Sequence, residues 1–339
     1  MKKVKSMMDI AEIAGVSEAT VSRALKGSSL INPKTIEKIQ KIAQEHHYSA
    51  NRNARSLSTQ KSNAIAVVVN QDINAESFST QPFTMQMLGY LADELAKNDL
   101  EMILSSDRSI TGCWHDHFIR PKRADGIIIL GPGSRASLFD ELAEHKVPFV
   151  VWGGKKTYQS HCVVAGDNKK GGFLAVEHLQ RDANRKRIVL LGPRTTVEGE
   201  LRYKGYVEGL KKYKGVQKKE LLVDCDFSTE SAFETTKELI QSNRVEFDAI
   251  FAVSDTVAYG AIKALQASGL DVPKDVSVVG YDDISTSRLI TPALTSVRQD
   301  STNAVRLLVE RILALTDGKT VKSVTLDAEL IIRQSSATS

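Results

Sequence analysis

The sequence predicts a small all-α headpiece containing a helix-turn-helix, followed by an α/β core of two doubly wound lobes. Three observations support this fold class. The chain of 339 residues has room for about two ordinary domains. Its first part carries closely spaced helix caps and a glycine-containing turn. From Ala64 onward, short apolar runs alternate with amphipathic stretches, and there are too many such runs for one compact sheet.

The composition is that of an ordinary globular chain, with 42% hydrophobic and 25% charged residues. No apolar run approaches the roughly 20 residues that span a bilayer, so we expect no membrane partner. The basic start is followed by Asp9 and Glu12 rather than an apolar segment, which argues against secretion and favours the cytoplasm. Cys113, Cys162 and Cys225 are isolated, so we expect neither disulfides nor a metal-ligand pair.

Positive charge is concentrated near the amino terminus. The first 61 residues hold eleven Lys and Arg against five Asp and Glu, whereas the whole chain has a net charge of only +4. The remainder is therefore slightly acidic. A basic segment of this kind suits contact with a polyanion, although a solvated basic arm is the alternative.

Local signals divide this basic segment into helices. Ser6 and Asp9 have capping-box spacing and predict a first helix that ends at Gly15. Ser17 is placed to cap a second helix over residues 18–26, and Pro33 begins a third that runs to about residue 46. We expect the core of this unit to hold Met7, Ile10, Ala11, Ala14, Val21, Leu25, Ile36, Ile39, Ile42 and Ala43.

The second helix has the composition of a recognition helix. Its outward residues are small or polar, which lets a helix enter the major groove and reach phosphates and base edges. These residues are Glu18, Ala19, Thr20, Ser22 and Arg23. A generic three-helix bundle is the alternative at this point.

Buried strands and amphipathic helices alternate through the rest of the chain. The predicted strands are 64–69, 102–104, 126–130, 148–152, 187–191, 249–253 and 276–279. Among the predicted helices are 134–146, 169–181, 230–242, 256–268 and 300–316. Such alternation builds parallel sheets, in which ligands bind beyond the carboxyl ends of the strands.

The segment Asp9-Ile-Ala-Glu-Ile-Ala-Gly-Val-Ser-Glu-Ala-Thr-Val-Ser-Arg-Ala-Leu25 resembles the signature of the lactose/galactose repressor (LacI/GalR) family. The segment Tyr48-Ser-Ala-Asn-Arg-Asn-Ala-Arg-Ser-Leu57 resembles that family's hinge, and the likeness continues along nearly the whole chain. The resemblance implies a homodimeric transcriptional repressor that binds a pseudo-palindromic operator in double-stranded DNA.

By this resemblance, Glu18 and Ala19 read bases. The residues expected to contact mainly phosphates are Ser17, Thr20, Ser22, Arg23, Tyr48 and Asn51. In the family the hinge becomes a helix on DNA and inserts a leucine into the minor groove, the place that Leu57 holds here, with Ala54 one turn earlier. Ala50 stands where many members have proline, and an ordinary linker is the alternative for this segment.

The resemblance also implies a periplasmic-binding-protein-like core of two lobes joined by three crossings, expected near residues 160, 290 and 324. The predicted domains are a headpiece (1–48), a hinge (49–62) and a core (63–339). Within the core, the N-lobe comprises 63–160 and 291–324, and the C-lobe comprises 161–290 and 325–339. The chain stops soon after Ser335 without a heptad tail, so we expect a dimer.

Loops after the strands supply candidate effector contacts. Arg202 and Asp282 match the family's effector-contacting arginine and aspartate, with a structural ion pair or turn cap as the alternative. Asp255 follows another strand, while Trp152 and Phe83 offer apolar faces and are equally suited to the core. The Asp167-Asn168 pair also matches a family motif, but a helix cap explains either residue without a ligand.

Other functional motifs are weak. The segment 131–136 imitates a dinucleotide fingerprint but lacks the acidic residue about 20 positions later. The segment 113–117 holds a cysteine and two histidines without a second ligand cluster. We therefore predict no cofactor, no metal and no catalytic residues. The effector is expected to be a sugar or phosphosugar; the alternatives are a nucleobase-responsive regulator and a cytoplasmic solute-binding protein with a basic amino terminus.

Overall fold

The computed structural model describes residues 6–25, 28, 30–46, 48, 61–70, 81–131, 136–154, 161–212, 217, 219–242 and 246–336. The chain divides into two compact units, with the boundary between Ser62 and Asn63. In the described ranges, no helix has both the length and the apolar character required to cross a membrane.

The first unit is a three-helix headpiece with α1 (Met7–Ala14), α2 (Glu18–Leu25) and α3 (Pro33–Glu45). The predicted capping box is present: Asp9 N donates to Ser6 Oγ at 3.2 Å and Ser6 N donates to the Asp9 carboxylate at 2.9 Å. Gly15 ends α1 in the left-handed conformation, with φ 68°. The buried core consists of Ile10, Ala11, Ala14, Val21, Ala24, Ile39, Ile42 and Ala43.

The N-lobe contains a six-stranded parallel sheet in the order β11-β5-β4-β3-β1-β2. Its strands are β1 (Ala64–Val69), β2 (Glu101–Ser106), β3 (Gly126–Leu130), β4 (Phe149–Trp152), β5 (Cys162–Gly166) and β11 (Val324–Leu326). Its α-helices are α4 (Pro82–Lys97), α5 (Ala136–Glu144) and α10 (Ser301–Thr316). The central strands are apolar throughout because helices or loops cover both faces of the sheet.

The C-lobe contains a second six-stranded sheet in the order β12-β10-β9-β8-β6-β7, parallel except for β12. Its strands are β6 (Ile188–Leu191), β7 (Leu221–Val223), β8 (Ala249–Ala252), β9 (Ser277–Asp282), β10 (Thr295–Gln299) and β12 (Ala328–Ile331). Its helices are α6 (Asn168–Arg181), α7 (Val197–Lys212), α8 (Thr229–Ser242) and α9 (Asp255–Ala267). The two lobes together confirm the predicted doubly wound arrangement.

The crossings between the lobes correct the lobe boundaries expected from the sequence. The expected crossing near residue 160 lies instead between β5 and α6, because β5 pairs with β4 in the N-lobe sheet. The one expected near 290 lies between β10 and α10, because β10 pairs with β9 in the C-lobe sheet. The third joins β11 to β12, close to the expected position. Strand β5 adds one strand to the N-lobe sheet, and β10 adds one strand to the C-lobe sheet, before the chain passes to the other lobe.

Helices α6 and α7 approach each other closely through glycines. A Cβ atom added at Gly205 would overlap the Lys169 carbonyl oxygen, and one at Gly172 would overlap the carbonyl of Arg202. Both obstacles are helix backbone, which moves less readily than a side chain. This packing fixes the position of the turn of α7 that carries Arg202.

We predict that Gly205→Ala lowers the free energy of unfolding by about 1–3 kcal/mol, because overpacking here outweighs the gain in helix propensity. Urea unfolding followed by circular dichroism measures the change. Lys211→Ala, at an exposed position on the same helix, is the control and should stay within about 0.5 kcal/mol of the parent protein. If Gly205→Ala were as stable as Lys211→Ala, α6 and α7 could move apart to accommodate the methyl group without a loss of folding free energy.

Candidate functional site

The outward face of α2 holds the side chains expected to meet DNA. Ser17, Glu18, Ala19 and Arg23 are exposed, while Thr20 and Ser22 are half-buried. Ser17 Oγ accepts a hydrogen bond from Thr20 N at 3.2 Å and lies 2.8 Å from Thr20 Oγ1. The two hydroxyls thus hold each other in place at the start of the helix, next to Glu18 and Ala19.

Tyr48 packs against the headpiece core after α3, and its backbone N–H donates to Ala43 O at 2.8 Å. Burial and then the carboxylates of Glu18 and Asp9 raise the pKa of the Tyr48 phenol. The hinge positions Asn51, Ala54 and Leu57 lie outside the described residues.

In the C-lobe, Arg202 is the most densely contacted of the predicted effector residues. Its side chain is buried, and its Nε donates to Asn168 Oδ1 at 2.9 Å. Its Nη1 donates to the Val253 carbonyl, while Nη2 lies 3.6 Å from Asp282 Oδ1. The guanidinium carbon lies 3.7 Å from the centroid of the Tyr281 ring. Arg202 and Asp282 thus form a buried ion pair stacked on an aromatic ring.

Asp282 ends β9 in an unusual backbone conformation. Its φ is 112° and that of Asp283 is 50°, in the region that favours glycine. Gln299 Nε2 donates to Asp282 Oδ1 at 2.7 Å. Burial raises the pKa of Asp282, and Arg202 opposes part of that rise. Strained backbone is often retained where a side chain must be held for binding.

Asp255 directs its carboxylate into the C-lobe. It is buried and accepts hydrogen bonds from Ile284 N at 2.9 Å and from the hydroxyls of Ser287 and Ser296, both at 2.5 Å. Burial and then the nearby Asp282 carboxylate raise the pKa of Asp255. These contacts hold the segment after β9 and the start of β10 beside the start of α9. An effector contact at Asp255 stays a prediction.

The N-lobe aromatics predicted from the sequence contact each other. The ring centroids of Phe83 and Trp152 are 6.2 Å apart, with the rings inclined by 36°. Trp152 is largely buried, whereas Phe83, in the first turn of α4, is half-buried. Trp152 belongs to the buried apolar core of the N-lobe, and Phe83 packs against that core. An effector contact at either residue stays a prediction.

Hydrogen bonds between the lobes join the elements that carry these two sets of residues, at what we call the cleft between the lobes. Two residues after Trp152, the N–H of Gly154 donates to the carboxylate of Glu198, which lies one helical turn before Arg202 on α7. On the other side, Ser285 N donates to Gln86 Oε1 at 3.2 Å. Gln86 lies one turn after Phe83 on α4, and Ser285 follows Asp282 by three positions. The aromatic pair and the ion pair therefore belong to elements that meet across this cleft.

Sequence reasoning left the role of one amide side chain, Asn168, open and missed another, Gln299. The cap of α6 is Asp167, whose carboxylate accepts from Lys170 N at 2.9 Å, whereas Asn168 is buried and bonded to Arg202. The motif pointed to Asn168, but a capping role was sufficient to explain it. Gln299 carried no signal, because its bond to Asp282 joins strands that are paired only in the folded sheet. Within the described ranges, no group of three or more His, Cys, Asp or Glu is arranged to hold a metal ion.

A helix-turn-helix headpiece combined with a two-lobed core and a polar cleft defines a ligand-responsive DNA-binding regulator. Residues 6–51 match the bacterial regulatory proteins of the lacI family, and residues 176–336 match a periplasmic binding protein-like domain. The transcriptional regulator CelR of Thermobifida fusca is 32% identical over 96% of this chain and 96% of its own length. The chain belongs to the lacI family, whose members are transcriptional regulators rather than enzymes.

Two solved structures resemble the chain over nearly its whole length. The Lac repressor dimer bound to operator and the anti-inducer ONPF has a TM-score of 0.81 at 27% identity, covering 99% of this chain and 100% of that one. A complex of the regulator CelR with cellobiose has a TM-score of 0.71 at 27% identity, covering 98% and 100% respectively. The two-lobed core and the headpiece expected from the sequence are thereby confirmed.

We predict that Asp282→Asn destabilises the core by about 3 kcal/mol, because Arg202 then lacks its buried counter-charge. Asparagine accepts the bond from Gln299 and tolerates a positive φ, so this variant isolates the charge. Asp282→Ala should cost about 1 kcal/mol more because its backbone is also strained. Urea unfolding compares both with the exposed control Asp226→Asn. A neutral effect of Asp282→Asn would mean that the ion pair does not stabilise the fold.

Proposed function

We propose that this protein is a homodimeric transcriptional repressor whose affinity for a pseudo-palindromic operator is controlled by a small sugar bound between the lobes. The observation that supports this most directly is the presence on one chain of an exposed α2 surface and a two-lobed core in which a buried Arg202–Asp282 pair lies on elements that contact those carrying Phe83 and Trp152. Such a repressor works in the cytoplasm, where its operators are, and performs no covalent chemistry.

DNA recognition rests on the outward face of α2. Glu18 and Ala19 read base edges in the major groove, while Ser17, Thr20, Ser22, Arg23 and Tyr48 position the headpiece on phosphates. Asn51, Ala54 and Leu57 complete the contact through the hinge, with Leu57 in the minor groove. One three-helix headpiece buries too little surface for tight specific binding, so two copies on successive half-sites are required.

The chemistry of the cleft favours an uncharged sugar over a phosphosugar. The Arg202 guanidinium already donates to Asn168 and Val253 and faces Asp282. Asp282 and Glu198 place negative charge beside it. An aromatic face opposite a carboxylate–guanidinium pair suits a pyranose ring with its hydroxyls. A relative of this chain has been solved with cellobiose, a neutral disaccharide.

Control of DNA binding requires the sugar to bind one arrangement of the lobes more tightly than another. A ligand that engages both walls of the cleft has that property, because the distance between the walls changes with the lobe angle. The coupling is reciprocal, so operator DNA must alter the affinity for the sugar by the same factor.

We predict that Arg23→Glu weakens specific operator binding by at least about tenfold and flattens its salt dependence, because a phosphate contact is lost. Fluorescence anisotropy with a library of symmetrical operators measures both effects. Lys211→Glu makes the same change of charge on the C-lobe and should leave operator binding unaffected. Equal losses in the two variants would indicate that net charge, rather than the α2 surface, determines binding.

We also predict that Trp152 reports effector binding. Cellobiose should change the tryptophan fluorescence of the parent protein and of Trp114→Phe, because Trp114 lies buried in the N-lobe core away from the cleft. In Trp152→Phe the fluorescence response should disappear, while calorimetry still detects binding. Glucose 6-phosphate and guanine test the phosphosugar and nucleobase alternatives. A response that depends on Trp114 instead would place the ligand elsewhere.

A further inference from the structure

Two of the three crossings carry buried amide side chains that reach the Arg202–Asp282 pair. Asn168 is the first residue of α6, directly after the crossing from β5. Gln299 is the last residue of β10, directly before the crossing to α10. Both are largely buried, with relative exposures of 2% and 7%. Amides in these places connect the ion pair to the segments that join the two lobes.

Gln299 makes one polar contact and one close packing contact. Its Nε2 donates to Asp282 Oδ1 at 2.7 Å, the same oxygen that faces Arg202 Nη2. Its Oε1 lies against Gly166 at the end of β5, where an added Cβ would approach to 2.8 Å. Gly166 therefore provides the space in which the Gln299 amide lies.

Asn168 completes a ring of contacts. Its Oδ1 accepts from Arg202 Nε at 2.9 Å, and its Nδ2 donates to the Gly166 carbonyl at 3.1 Å. The ring therefore passes from Arg202 to Asp282, Gln299, Gly166, Asn168 and back to Arg202. The third crossing is joined to the first by Asp167 N, which donates to Leu326 O at 2.8 Å.

We propose that Gln299 and Asn168 are positioning residues that couple the effector-binding ion pair to the crossings between the lobes. A ligand that forms hydrogen bonds with Asp282 Oδ1 or with the Arg202 guanidinium competes with these amides for the same atoms. The released amides no longer hold the ends of β5 and β10 together, and the preferred lobe angle changes. The identity of the ligand rests on the proposed function, whereas the ring of contacts does not.

Hydrogen exchange of the full-length protein without ligand tests this coupling, followed in peptides that cover 162–170, 295–303 and 322–330. Gln299→Ala should speed exchange by about tenfold in the first two peptides, because a buried hydrogen bond to a charged group is lost. Acceleration confined to 295–303 would overturn the proposal, because it would show a purely local role. Gln266→Ala is the matched control: its amide bonds the Thr291 carbonyl and should leave all three peptides unchanged.

A double-mutant cycle with Gly166→Ala tests the ring from its other side. The added methyl displaces the Gln299 amide, so Gly166→Ala alone should reproduce the exchange pattern of Gln299→Ala. Once the glutamine is gone the methyl has nothing to displace, and the double variant should exchange no faster than Gln299→Ala. Additive effects would contradict a shared contact and overturn the proposal.

Substitutions of Asp282 test whether a change at the ion pair reaches the crossing between β5 and α6, as the effect of a bound ligand would have to do. Asp282→Ala removes the acceptor of the Gln299 amide and should speed exchange in 162–170, on the other lobe's sheet, more than in the rest of the core. Asp282→Asn keeps that acceptor, so its loss of stability should speed exchange in this peptide no more than in the rest of the core. Equal effects of the two variants would overturn the proposal.

A separate experiment measures operator affinity with and without cellobiose. In Gln299→Ala the contact that the sugar would break is already lost, so operator affinity without sugar should move towards that of the sugar-bound parent protein. The ratio of operator affinities with and without cellobiose should then approach 1. If cellobiose has no effect on the parent protein, the sugar assignment fails. The exchange patterns then decide the coupling proposal alone, because they are measured without any ligand.

Discussion

The buried ion pair between Arg202 and Asp282 is the interaction on which the organisation of the core depends. Removing both charges from water is costly, and attraction across 3.6 Å repays that cost only when other groups satisfy the remaining donors and acceptors. Here Asn168, the Val253 carbonyl and Gln299 do so. Because two of these partners lie at crossings, the requirement for a satisfied pair constrains how the lobes join.

Backbone packing positions both members of the pair. Helices α6 and α7 pack so closely that a Cβ atom added at Gly172, Gly205 or Gly209 would overlap atoms of the facing helix. This packing fixes the position of Arg202 relative to the sheet. Asp283, directly after Asp282, accepts from Arg333 Nη2 at 2.6 Å and from Arg298 Nε at 2.8 Å. These two guanidinium groups hold the left-handed turn at the end of β9. The strain at Asp282 is thus maintained by contacts outside the cleft.

The headpiece does not depend on contacts with distant parts of the chain in the described residues. Its small apolar core and its helix caps all lie within residues 6–48, and Ser6, Gly15, Ser17 and Asn32 each define one helix end. The face that meets DNA is consequently ready without any contribution from the lobes. Ligand control must therefore act on how two such headpieces are presented to DNA rather than on the fold of each one.

Local pattern determined much of this protein from the sequence alone. Caps and helical periodicity predicted the three headpiece helices within one residue at their ends, because these signals act over a few residues. Apolar runs predicted β1 to β4, β6, β8 and β9, but not the internal strands β5 and β10. Family resemblance pointed to Arg202 and Asp282.

Tertiary structure decided the rest. The edge strands β7, β11 and β12 are only three or four residues long and mostly half-buried, so each is too short for a clear strand pattern. The crossings and the amide partners Asn168 and Gln299 depend on which strands pair, and the three internal donors to Asp255 come from residues about 30 to 40 positions away. Such contacts are set by packing between distant segments, and no local sequence pattern encodes them.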